Sequence, residues 1–347
     1  MSGIVTCTWA PTAMGGPSLT GPARRSSLQT LSGQALTDRL TRPVEKAEGL
    51  GIDYLLVAQR WWGTADDIEG STYDCLAMTA YYAATTSRIK LVTAIHPGFF
   101  LPAPIARWGA SLDRMTEGRW AINVTSGWHE QEFGMYGAEL LPHDERYTRS
   151  GEFIEVIRGA WGQEEFSYRG RYYHVTGLKM EPRPYSPRLE VFQGGQSQAA
   201  ALMAAEHSDW VFLNGGPPDK IGGIIERFRA EAARRGRELR FAMYAIPLCR
   251  ATDAEAESEV EEMVASVRPE ALQQRRRRVS GAQGMWAPSA DALTMLDSNE
   301  GYASRLIGSP KTILKRMRAF HDLGVDCFHL PLHDERFNEE VLPRLRK

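Results

Sequence analysis

The sequence predicts an α/β protein built as a (β/α)8 barrel. Three observations predict it. About eight short apolar runs alternate with longer amphipathic segments. The runs are apolar nearly throughout, as expected of parallel strands buried on both faces. The length, 347 residues, suits one such barrel. A doubly wound sheet is the rival architecture, but no GxGxxG follows the first strand, which weakens its dinucleotide-binding form.

In chain order, Ile4–Trp9 reads as the first strand and Gln34–Glu48 as its helix. Tyr54–Ala58 and Ile89–Ile95 follow as strands, with helices at Tyr73–Thr85 and near Pro104–Met115. Trp120–Thr125 is the fourth strand and Tyr147–Trp161 a helix. Leu189–Gln193 and Trp210–Leu213 precede helices at Ser197–Glu206 and Ile221–Arg235. Leu239–Leu248 is the seventh strand, with a helix at Asp253–Ser266; Cys327–Leu332 is the eighth, before a short terminal helix. Two segments interrupt the alternation. Residues 164–184 read as an inserted hairpin, FSYRG then RYYHV, turning at Arg169-Gly170. Residues 269–301 lack clear periodicity and read as a mobile lid, or else as a solvated helix and loop. The whole chain, 1–347, is expected to be one domain.

Apolar residues make up 43% of the chain, charged residues 24%, and the net charge is −2. That excludes an electrostatic case for nucleic acid or an anionic membrane surface. The four cysteines lie far apart with no CxxC, which argues against a zinc site or a disulfide scaffold. No histidine has a second ligand at metal-binding spacing, so no metal is expected. Met1–Gly16 lacks the basic start and apolar run of a signal peptide, and no run of about 18 apolar residues occurs. A cytoplasmic location is the expectation.

In such a barrel the active site lies at the C-terminal strand ends. After the fifth strand, Gln193-Gly194-Gly195-Gln196-Ser197 leads into a helix. Glycines permit close backbone approach, and a helix N-terminus offers free N–H groups, so the segment suits a phosphate; a plain turn with a helix cap is the alternative. Asn123-Val124-Thr125-Ser126-Gly127-Trp128 ends the fourth strand with groups able to hydrogen-bond a planar, amide-bearing ligand. His143-Asp144-Glu145-Arg146-Tyr147 opens a helix, where Asp144 or Glu145 could serve as the cap.

The ordered run INVTSGW, HDERYTRSGEFI, YRGRYYHV and VFQGGQS resembles the bacterial luciferase-like flavin monooxygenases. Within them it is most similar to the dimethyl sulfone and alkanesulfonate monooxygenase branch. SDWVFLNG, GMWA, Asn299–Tyr302 and RLIGSP extend the likeness, which covers roughly residues 85–325. The resemblance implies a two-component enzyme: an NAD(P)H-dependent flavin reductase supplies FMNH2, and the oxygenase uses it with O2 to cleave a carbon–heteroatom bond. By position, Gly194, Gly195, Gln196 and Ser197 with Tyr147 would hold the FMN phosphate, and His143 would flank the ribityl chain or the ring. Asn123, Ser126 and Gln59 would face the flavin, and Ala94 would leave room for O2. His96, Tyr244 and Glu300 are candidate acids or bases, with Asn123 at the oxygen-reacting edge. The family implies a homodimer or homotetramer.

Sulfonate-cleaving relatives resemble one another in cationic and His side chains at the end of the seventh strand. Here Tyr244 and Ile246 stand there, which favours a neutral substrate, although Arg275–Arg278 could bring charge on lid closure. Trp61, Trp62, His96, Phe99, Phe100, Trp128 and Trp286 could form an aromatic pocket, with Tyr302 beside it. A larger aromatic substrate, a flavin-N5-adduct oxygenase cleaving a C–N or amide bond, a deazaflavin-dependent oxidoreductase and a non-catalytic flavin-binding protein are the alternatives.

Overall fold

The computed structural model describes residues 3–13, 28, 30–63, 70–279 and 291–345. Eight parallel strands close into a barrel: β1 (Val5–Trp9), β2 (Tyr54–Val57), β3 (Lys90–Ile95), β4 (Trp120–Val124), β7 (Val191–Gly194), β8 (Trp210–Leu213), β9 (Arg240–Tyr244) and β12 (Cys327–His329), each hydrogen-bonded to the next and β12 to β1. Closure overturns the doubly wound alternative. The helices α1 (Gly33–Gly49), α2 (Cys75–Thr85), α3 (Pro102–Met115), α5 (His143–Gly162), α6 (Gln198–His207), α7 (Pro218–Ala233) and α10 (Pro310–Leu323) are the principal crossovers.

Strand side chains alternate between two cores. Cys7, Leu56, Ala94, Ala121, Phe192, Trp210, Ala242 and Cys327 fill the barrel. Leu55, Leu91, Ile122, Val191, Val211, Phe241 and Phe328 face the helices. A plug closes the N-terminal end. Glu190 Oε1 accepts hydrogen bonds from Tyr54 (3.0 Å), Trp210 (2.9 Å) and Arg240 (3.0 Å), and its Oε2 meets Lys90 at 3.1 Å. Burial alone would raise the Glu190 pKa, but Lys90 and these donors hold it below its ordinary value. Ligand access is thereby left to the C-terminal end.

Three elements depart from the sequence reading. The seventh strand ends at Tyr244; Leu248–Cys249 (β10) instead pairs with Ile307–Gly308 (β11) as a separate ribbon. Pro247 has no N–H to give a ladder, which is one reason the apolar run does not continue. The second departure is α10, which the sequence reading lacked although Ser309 caps it and Pro310 opens it. Third, the Arg run sits on α9 (Pro269–Val279), and α8 (Asp253–Ala265) precedes it. Arg275 is buried and donates to the Met295 carbonyl at 3.0 Å, so it ties helix to loop rather than facing the site. Positions 280–290 of the expected lid, Trp286 among them, lie outside the described residues.

Strands β5 (Phe166–Arg169) and β6 (His174–Leu178) form an antiparallel hairpin, turning through residues 170–173. Glu152 of α5 accepts from the backbone N–H groups of Arg171, Tyr172 and Tyr173 and pins that turn. Helix α4 (Glu130–Met135) is a short addition after β4.

Candidate active site

A pocket opens to solvent at the C-terminal end of the barrel. Its floor is the uppermost inward layer of strand side chains: Trp9, Ala94, Asn123, Phe212, Tyr244 and His329. One side is polar, built on β2, β3, β4 and β7. The other, on β8, β9, β12 and β1, is aromatic.

The phosphate-like corner is at the end of β7. Gly195 has φ +117°, a conformation that L side chains rarely adopt. A Cβ placed on it would meet the Tyr147 hydroxyl at 2.4 Å. Tyr147 therefore lies directly over the loop, and its hydroxyl also bonds Ser197; burial raises its pKa. Ser197 accepts from Ala200 N at 3.2 Å as the cap of α6, while Arg227 holds the Gln196 carbonyl. Tyr147 thus lines the pocket beside Gly194, Gly195 and Gln196, with the start of α6 next to them; Ser197, expected at this site, is not in the lining but bonds the Tyr147 hydroxyl. His143 packs on Tyr147 with ring centroids 5.2 Å apart and bonds Asp144 at 2.6 Å. Helix α5 begins at His143, four residues before the expected start at Tyr147, so Asp144 and Glu145 occupy its first turn and Pro142 the cap position.

Among the described residues, buried atoms without hydrogen-bond partners line the pocket: Gln59 Nε2, Asn123 Oδ1, Gln196 Nε2 and Oε1 and Arg146 Nε on the polar wall, and Asn214 Nδ2 at the end of β8. Each such atom costs about 1–3 kcal/mol if nothing satisfies it, so the arrangement suits a ligand bearing both donors and acceptors. Their orientation is set locally. Gln59 Oε1 accepts from His96 N at 2.9 Å, which turns Nε2 inward. Asn123 Nδ2 donates to Thr125 Oγ1 at 3.3 Å, which exposes Oδ1. Arg146 is anchored through the Gly127 carbonyl. Ser126 lines the pocket, yet its hydroxyl is shared with Ser150 of α5 at 2.9 Å, so it orients helix α5 rather than a ligand.

The acid–base inventory differs from the sequence reading. Burial lowers the His96 pKa to about 4. Glu132, on α4, is raised to about 7 by burial, against the opposing Trp61 N–H bond and the Arg60 charge. The two are 3.8 Å apart. Near pH 6 both are uncharged, so this contact is not an ion pair, and Glu132 is a carboxyl group able to hold a proton. Tyr244 is committed elsewhere: it accepts from Trp9 and donates to Asp297, and burial with that carboxylate puts its pKa well above the ordinary phenol. It is thereby a weaker candidate for a general acid. Glu300 does not line the pocket; Lys220 Nζ meets both its oxygens, at 3.1 and 2.9 Å.

Other expected residues fall outside the lining. Trp61 packs among Phe99, Phe100 and Tyr136, and Trp62 and Arg60 take the wall position instead. Ile246 is buried beneath Gly301, whose carbonyl accepts from Ile246 N at 3.2 Å. Tyr302 packs on the satellite cluster around Leu248 and Ile307. Trp128 does line the pocket. The sequence reading missed Trp9, Phe212 and His329. Their signal was present: each is inward-facing at a strand end, and His329 is a lone polar residue in an apolar strand. Among the described residues, side-chain atoms of Glu155, Glu206 and His207 come within 4.8 Å of one another, away from this pocket, but Glu206 is exposed and Glu155 already accepts from the Tyr168 hydroxyl.

The fold and the pocket define a class. The family model for luciferase-like monooxygenase matches residues 20–327, and the chain belongs to that family of enzymes. It is 35% identical, over 87% of its length and 85% of the relative's, to an FMNH2-dependent dimethylsulfone monooxygenase of Pseudomonas fluorescens (strain Pf0-1). It is 33% identical to one of Pseudomonas putida, over 98% of this chain and 94% of that one. A crystal structure of riboflavin lyase with modified FMN and substrate riboflavin superposes with a TM-score of 0.81 at 20% identity, covering 99% of this chain and 92% of the other. No helix among the described residues is long and apolar enough to cross a membrane.

Proposed function

We propose that this chain is the oxygenase of a two-component system, using FMNH2 and O2 to cleave a C–S bond in a small sulfone-like substrate. The observation that carries the reading is the coincidence, in one pocket, of the Gly195–Ser197–Tyr147 corner with a wall of unpartnered buried amide atoms. A flavin mononucleotide has the matching parts: a dianionic phosphate and a ring edge that both donates and accepts. The 33–35% identical relatives, both named FMNH2-dependent dimethylsulfone monooxygenases, support the same cofactor and substrate class.

The residues have these roles. Tyr147, Ser197 and the first amides of α6 would hold the phosphate. Gln59, Asn123 and Gln196 would hydrogen-bond the flavin ring, and Ala94 would leave space beside Asn123. Reduced FMN would supply the two electrons that divide O2 between product and water, so that a dialkyl sulfone, O2 and FMNH2 give an alkanesulfinate, an aldehyde, FMN and water. Glu132, protonated near neutrality, is placed beside His96 to deliver or hold a proton in the polar half of the pocket. Ser298 and Asn299 reach the pocket from the segment that crosses β8 and β9, helping to exclude water. A separate NAD(P)H-dependent reductase supplies the reduced flavin, and one domain spans the chain.

The test is a binding and turnover pair. FMN should bind stoichiometrically with quenched fluorescence. With FMNH2 and air, dimethyl sulfone should yield methanesulfinate and formaldehyde in equal amounts. Flavin binding without sulfone turnover would remove the substrate assignment and retain the cofactor.

A further inference from the structure

Among the described residues, the aromatic half of the pocket carries two buried polar atoms without a hydrogen-bond partner, Asn214 Nδ2 at the end of β8 and His329 Nε2 on the floor, and only the second sits inside a cup of aromatic rings. His329 is 2% exposed, lines the pocket and has a buried Nε2 without a hydrogen-bond partner. Its ring is enclosed by Trp9 at 4.4 Å, Tyr244 at 5.1 Å and Phe212 at 5.5 Å between centroids. Neighbouring polar groups are already used. The Trp9 N–H goes to Tyr244, and the Tyr244 hydroxyl goes to Asp297. No cation among the described residues lines this half, since Arg60 and Arg146 both stand on the opposite wall and Lys220 is taken up by Glu300.

We infer that this cup is the substrate subsite, built for a small uncharged molecule whose polar atoms are hydrogen-bond acceptors only, with His329 Nε2–H as the donor. The inference rests on the proposed function and deepens it. Burial lowers the His329 pKa to about 3, so the ring is neutral and carries a single N–H, assigned to Nε2, the nitrogen left without a partner. An apolar cup with one neutral donor fits a dialkyl sulfone: two methyl groups against rings, and an S=O oxygen on the N–H. A sulfonate would bring a full negative charge into a cup without a counter-ion, at a desolvation cost that the site does not offset. His329 is thus a specificity-determining residue, distinct from the groups that hold the cofactor.

The experiment measures two affinities on the FMN-loaded full chain: FMN by fluorescence quenching, and dimethyl sulfone by ligand-observed NMR. Dimethyl sulfide, the same shape without oxygens, is the control probe. In His329→Leu, sulfone affinity should fall about tenfold, the usual loss when a buried donor is removed. FMN affinity should stay within about twofold, and sulfide affinity should not fall. His329→Gln, which keeps an N–H near the same place, should recover most of the sulfone binding and guards against a folding defect in the Leu variant. Unchanged sulfone affinity in His329→Leu would overturn the inference. So would a parallel loss of FMN affinity, which would assign Nε2 to the cofactor. Sulfone binding absent in a wild-type protein that does bind FMN would also overturn it. Wild-type protein that binds no FMN would instead defeat the functional reading beneath it.

Discussion

Gly195→Ala isolates the phosphate corner. The substitution puts a methyl group 2.4 Å from the Tyr147 hydroxyl and 3.2 Å from Ala200 Cβ, at φ +117°. Backbone strain there is about 1–2 kcal/mol and acts on fold stability. The clash acts on binding: Tyr147 must move off the loop, losing a hydrogen bond to a charged group worth about 1.5–3 kcal/mol. At about 1.4 kcal/mol per decade, FMN affinity should drop roughly 10- to 150-fold. Gly137→Ala is the matched control, because it also has a positive φ, +69°, but nothing lies within 4 Å of the added atom and it does not line the pocket. A fluorescence-quench titration of FMN, with a thermal melt to show that both variants fold, reads the difference. Equal FMN affinity in folded Gly195→Ala and Gly137→Ala would refute the placement of the phosphate under Tyr147.

Further outcomes follow from the same geometry. Ser197→Ala with Tyr147→Phe should weaken FMNH2 binding more than tenfold without unfolding the protein, as read by anaerobic titration and circular dichroism; an unchanged affinity would dismiss both hydroxyls. Glu132 has a folded pKa of about 7 against an ordinary 4.5, so the unfolded chain releases its proton first and this group's contribution to stability falls as pH rises between those values. His96, lowered by burial, acts in the opposite direction, so the comparison is Glu132→Gln against wild type. From pH 5 to pH 8 the variant should gain up to about 3 kcal/mol relative to wild type in denaturant melts, and any limb of kcat/KM near pH 7 should vanish with it. Lys220→Met leaves the buried Glu300 carboxylate without its partner; discounted for the partly exposed lysine, the loss is about 1–3 kcal/mol. A double-mutant cycle with Glu300→Gln should show coupling, and additivity of the two changes would contradict it.

The barrel was legible because buried parallel strands need continuous apolar runs, and runs such as Leu55–Val57 and Leu91–Ile95 meet that need with hardly a polar residue. The seventh strand was read too long for the same reason: Ala245–Cys249 is as apolar as a strand, but its burial comes from Gly301 and the β10–β11 ribbon rather than from the barrel. The Gly194–Ser197 segment was legible as a tight turn running into a capped helix, and Ser197 does cap α6 with Gly195 in the left-handed region; its phosphate role is a proposal. Ile246 and Tyr302 were misplaced because sequence order cannot show that residues 299–301 cross over the end of β9 and cover them. Glu132 was invisible for a related reason. Its character comes from burial beside His96, brought there by a helix only six residues long. His329 shows the limit of reading only the residues beyond each apolar run, since the side chain that faces the pocket lies within the run itself.

The central claim is that this pocket couples FMNH2 and O2 to a sulfone. The most direct measurement mixes the protein with FMNH2 under anaerobic conditions, admits oxygenated buffer with or without dimethyl sulfone, and quantifies methanesulfinate against flavin oxidised in a single turnover. The account predicts sulfinate approaching one equivalent per protein-bound FMNH2, and none with the sulfone omitted. Flavin that oxidises at the rate of free FMNH2, with no sulfinate formed, would contradict it.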